Sequence, residues 1–98
     1  MRSVGLTDLD LATRALLAVP RGAWAATAEM LIDEAHIADL WRKRRGSAHP
    51  NGGTGSLYAQ ASLHPRAGIP QSSAQYCAAL STLLRALDAW RNRVHSKT

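Results

Sequence analysis

Phenylalanine is absent from these 98 residues, and cysteine occurs once, as Cys77. A single thiol excludes an internal disulfide and fits a reducing compartment. No apolar run approaches the ~20 residues that a membrane-spanning helix requires. Asp8, Asp10 and Arg14 interrupt the stretch that would form the apolar core of a signal peptide, although Ala23-Trp24-Ala25 imitates a cleavage site. These shortages predict a cytoplasmic protein. Five rings, Trp24, Trp41, Trp90, Tyr58 and Tyr76, must supply core volume beside Leu and Ala. A chain of this length buries about 65% of its unfolded surface, enough for one core, so a single domain is expected.

Carboxylates are scarce in the second half. Residues 1–40 hold Arg2, Arg14 and Arg21 against Asp8, Asp10, Glu29, Asp33, Glu34 and Asp39, whereas residues 41–98 hold nine Lys or Arg against Asp88 alone. A basic surface able to meet an acidic partner, nucleic acid included, is one consequence; mutual neutralisation of the two halves is the other.

Strand-like alternation is missing, and the apolar residues recur at helical spacing. Thr7 or Asp8 can cap a first helix, over about 7–19, with Leu9, Ala12, Leu16 and Val19 on one side and Leu6 as a staple. Pro20 ends it, because the residue before a proline is pushed out of helical geometry. A second helix, 23–45, aligns Trp24, Ala28, Leu31, Ala35, Ala38 and Trp41, flanked by Ile32 and Leu40, with Glu29, Asp33 and Asp39 opposite. It closes on Arg42-Lys43-Arg44-Arg45, cations that suit the negative helix end, and Gly46 as a left-handed cap. Four glycines and a proline between Gly46 and Ser56 forbid either regular structure there. Ser56 caps a short helix, 57–63, that His64-Pro65 terminates. Ser72 with Gln75 fits a capping box for the last helix, 73–94, whose Tyr76, Leu80, Leu83, Leu87, Trp90 and Val94 form a bundle seam. Ala79, Leu84 and Ala86 widen that seam, so this helix should touch more than one neighbour.

Reactive constellations are also wanting. Asp33-Glu34-Ala35-His36 spells a helicase string, but no phosphate-binding G-x-x-x-x-G-K-[ST] accompanies it, and the string reads as coincidence on an exposed helical face. Asn51-Gly52-Gly53-Thr54-Gly55-Ser56 is glycine-rich without the lysine that would hold a phosphate. His36 lies three residues from both Asp33 and Asp39, and His49 and His64 fall in loops, yet no paired Cys or H-E-x-x-H spacing appears, so no metal is expected. His36 is read as part of a solvated charge cluster. Cys77 flanks the apolar seam and reads as a buried, inert thiol. Gly55-Ser56-Leu57 lacks the second glycine of a nucleophile elbow. No catalytic residue and no cofactor are assigned, and the chain is read as a non-enzyme.

At Leu16-Leu17-Ala18-Val19-Pro20, His49-Pro50, Gly53-x-Gly55-Ser56-Leu57, Ala59-x-Ala61 and Tyr76-Cys77, the chain resembles a family of short alphaproteobacterial proteins of unknown function, chiefly from the Rhodobacterales. Members usually carry an aromatic just after His-Pro, where this chain has Asn51-Gly52. The resemblance implies no activity and no catalytic residue. It does imply a small accessory regulator, because such genes neighbour the transcriptional activator of gene transfer agents, which are phage-like particles.

The expectation is therefore an all-α compact bundle of three main helices plus one short helix, divided by a Gly-rich central loop. Its expected function is a non-enzymatic protein-interaction module regulating transcription or particle production through a protein partner. Alternatives are DNA or RNA binding through the basic C-terminal half, and a phage-type structural, packaging or anti-defence role. Candidate contacts are Arg42, Lys43, Arg44, Arg45, Arg91 and Arg93, then the loop residues His49, Asn51 and Thr54. Arg85 and Lys97 extend the basic set for a nucleic-acid partner, and self-association through the last helix is a further option.

Overall fold

A computed structural model describes the chain apart from Ala48, Asn51, Gly52, Lys97 and Thr98, and apart from the side chains of His95 and Ser96. Four α-helices follow in order: α1 (Leu6–Leu17), α2 (Trp24–Arg45), α3 (Leu57–Ala61) and α4 (Ala74–Ser96), with one 3-10 turn at Arg21–Ala23. The described residues contain no strand, and the fold is all-α. The radius of gyration, 13.2 Å, is that of a compact domain of this size. α1 and α2 touch one another, and α3 and α4 each pack on both without meeting.

The core compensates for its missing phenylalanines with small residues. Ala12, Ala28, Ala35, Ala61 and Ala79 are fully buried beside Leu16, Leu31, Leu57 and Leu83. Alanine at a helix contact lets two backbones approach closely, so little volume is left for large rings to fill. Trp24 and Tyr76 are the aromatic residues that are buried, and each has its polar atom partnered. The anticipated widening of α4 is present: its seam serves both α1 and α2.

The helix ends differ from expectation in instructive ways. α1 starts one residue early, on Gly5, and Thr7 and Asp8 lie inside its first turn. Asp8 there reaches back to accept from the Gly5 N–H at 2.9 Å, and also accepts from the Tyr58 N–H at 2.9 Å, tying α3 to α1. Leu6 is not a staple; it is 86% exposed. α1 stops at Leu17, before Val19, with Ala18 as its cap. α3 ends at Ala61, because Leu63 and His64 donate to carbonyls three residues back and tighten into a turn. α4 is capped by Ser73 and not by Ser72: the Tyr76 N–H donates to Ser73 Oγ at 3.1 Å. Cys77 is exposed, contrary to the buried thiol expected, because it falls on the outer edge of the seam that Tyr76 and Ala79 bury. Gly46 (φ 70°) and Ser56, which accepts from Ala59 N–H at 3.0 Å, cap as expected. Replacing Ser56 with alanine should lower stability by about 1 kcal/mol in a urea titration, the usual loss for an N-cap hydroxyl.

Candidate functional site

The basic turn at the end of α2 is built around a buried acid. Asp39 was expected on the polar face with Glu29 and Asp33, but it is 1% exposed. It follows Ile32 and Ala35 at helical spacing, and all three face the interior. Its carboxylate meets the Met1 amino group at 3.1 Å, Lys43 Nζ at 3.0 Å and Arg42 Nη2 at 3.2 Å. Burial alone would raise the Asp39 pKa. The bonds from Lys43, the Met1 amine and Arg42 outweigh burial and hold it at about 2.

His36, one turn earlier, is half-buried and so is not part of a solvated cluster. Its Nδ1 lies 3.0 Å from the Met1 amine, and its ring meets Trp90 edge-on at 5.4 Å. Burial, then the positive Met1 amine, lower its pKa and favour the neutral ring, against a smaller opposing pull from Asp39. The four-residue helicase string is therefore not an exposed face. Ala35 is fully buried, and Glu34 Oε2 accepts from Gln60 Nε2 across to α3.

This hub divides the candidate contacts. Arg42 and Lys43 are engaged internally by Asp39. Arg44 and Arg45 are exposed, and Arg45 lies over the Trp41 ring at 4.5 Å. Arg91 and Arg93 do not join them. Arg93 faces Asp33 at 3.9 Å while Trp90 faces His36, so α4 runs antiparallel to α2. The α4 arginines consequently sit beside the middle of α2, Arg93 about 14–18 Å and Arg91 about 10–15 Å along its axis from residues 42–45 at 1.5 Å per residue. His49 packs edge-on against Trp41 at 5.1 Å, Thr54 is exposed, and Asn51 lies outside the described residues, as does Lys97.

The structure adds apolar residues to the basic turn. Ile37, Leu40 and Leu63 are 54%, 40% and 53% exposed. Ile37, Leu40, Trp41, Arg44 and Arg45 line one depression of about 240 Å³. A second, of about 530 Å³, shares Ile37 and runs on between His49, Leu63 and His64. Trp41 was expected in the core stripe with Leu40 on its flank, but neither joins the core, because at about 100° per residue both fall with Ile37 and Arg44 on the face opposite Leu31 and Ala35. Leu63 had no helical spacing to signal it, since it lies in a turn beyond α3. Among the described residues no group of three or more His, Cys, Asp or Glu could hold a metal ion, and no helix is long and apolar enough to cross a membrane.

A small helical bundle with a continuous apolar and cationic face on its second helix is the class of protein these features define. The chain belongs to a family described as a domain of unknown function (DUF7742), whose model matches residues 2–87. No curated protein and no solved structure matches it.

Proposed function

We propose that the chain is a non-enzymatic protein-interaction module whose outer α2 face docks an acidic amphipathic helix of a partner protein. The observation that carries this reading is the exposure of Ile37 and Leu40 beside Arg44 and Arg45 on one helical face. Apolar residues at that spacing suit a helix laid along a groove, and the two arginines suit its acidic flank. Monomeric proteins seldom leave such residues clustered without a use. The gene-neighbourhood association implied by the sequence resemblance would make the chain an accessory regulator of transcription or of gene transfer agent production. The partner would then belong to that machinery.

Affinity purification followed by mass spectrometry, with and without nuclease, tests the reading. The wild-type chain should recover a partner that survives nuclease, and Ile37→Glu/Leu40→Glu should reduce its recovery at least about tenfold, as for two interface anchors. Both side chains are exposed, so circular dichroism should show the variant folded. Recovery lost on nuclease treatment would point to nucleic-acid tethering through the arginines and overturn the proposal. Equal recovery by the double variant would place docking elsewhere.

A further inference from the structure

A third depression, of about 750 Å³, lies away from the α2 face, between the N-terminal segment and the last turns of α4. Val4, Leu9, Leu87, Trp90 and Val94 give it an apolar lining. Leu84 at its rim is 46% exposed. Asp88 and Arg91 also line it, and both are exposed. They are three residues apart on one helix, yet among the described residues neither makes an ion pair, with the other or with any neighbour.

We propose that this groove is the contact face of a symmetric homodimer in which the two α4 helices lie antiparallel. Along the helix, the groove stripe reads Leu84, Asp88, Arg91, Val94, at steps of four, three and three residues. In order it is apolar, negative, positive, apolar, and it becomes its own complement when reversed. A two-fold interface demands this relation, since residue i of one copy must suit residue j of the other and the reverse. With the axis between residues 89 and 90, Asp88 faces the second copy's Arg91 twice over. Leu84 then lies within about 1.5 Å, one residue rise, of the level of the second copy's Val94. A partner of single charge would leave either Asp88 or Arg91 opposed by its own sign. A second copy satisfies both.

Sedimentation velocity across the micromolar range tests the pairing. Wild-type protein should pass from monomer to dimer as concentration rises. Asp88→Arg alone and Arg91→Glu alone should each weaken the dimer at least about tenfold, because each places like charges opposite one another at both symmetric contacts. The exchange Asp88→Arg/Arg91→Glu should restore association to within a few-fold, which a loss of folding or a general charge effect would not do. Wild-type protein that stays monomeric, a double exchange as weak as the single changes, or a ring or filament in place of a dimer would overturn the inference. Ile37→Glu/Leu40→Glu should dimerise normally, so failure here and failure of the partner-docking reading are distinguishable.

Discussion

Alanine at position 55 is expected to lower the unfolding free energy by about 3 kcal/mol or more, seen as a shift of the urea midpoint at unchanged slope. Two independent obstacles add up at this position. Gly55 has φ 101°, a conformation in which a side chain strains the backbone. An added Cβ would also lie 2.6 Å from both Cα and Cβ of Asp39, and a helix backbone cannot swing aside as a side-chain tip can. The approach is close because Gly55 is wedged between α2 and the N-terminal segment, where its carbonyl accepts from Arg2 N–H at 2.8 Å. Moving the loop outward would therefore loosen three parts of the chain together. Gly68→Ala supplies the contrast, since nothing lies within 4 Å of its added Cβ and its φ is not positive. That change should be neutral or stabilise by a few tenths of a kcal/mol up to about 1 kcal/mol, through the unfolded chain. Equal effects at 55 and 68 would contradict the wedge.

Asp39→Asn is expected to cost about 3 kcal/mol at pH 7, or roughly 12–24 °C in melting temperature for a domain of this size. The neutral amide keeps the shape but removes the counter-charge that the Met1 amine meets at 3.1 Å. Lys43 is 63% exposed and can turn to water, so its loss contributes little. The same residue shapes the response to acid. The folded pKa of Asp39, about 2, lies below the ordinary carboxylate value, so the folded state binds fewer protons than the unfolded chain between the two. Its stabilisation, about 2–3 kcal/mol by linkage, is present above roughly pH 5 and drains away as pH falls toward 2. His36 acts in the same direction but earlier. Its lowered pKa means that stability begins to fall once the pH drops below the ordinary imidazole value of about 6.5. Wild-type protein should thus weaken in two steps on acidification. Asp39→Asn should be weaker at neutrality and should lack the lower step; an identical pH profile would remove Asp39 from the centre of the fold.

Much of this architecture was legible residue by residue. Gly46, Ser56 and the helical spacing of Trp24, Ala28, Leu31 and Ala35 announce their elements locally, because caps and apolar periodicity act within a few residues of chain. Asp39 was misassigned for a related reason. A carboxylate is solvated by default, and its burial depends on an amine and a glycine loop that arrive from residues 1 and 55, far away in sequence. His36 was misread likewise, since Trp90 reaches it from the far end of the chain. The two halves of the basic surface, 42–45 and 91–93, could be separated only once the antiparallel course of α2 and α4 was known.

The sequence by itself determined which segments are helices, their ends to within about two residues, and the all-α class, since capping, glycine and proline geometry and amphipathic period are properties of neighbouring residues. Tertiary structure decided which charges are engaged and which are free. A cation on a helix end points to solvent or to a buried acid according to what packs across from it. Arg42 and Lys43 are paired by an acid that distant segments bury, while among the described residues Arg44 and Arg45 make no such ion pair and lie beside Ile37, Leu40 and Trp41.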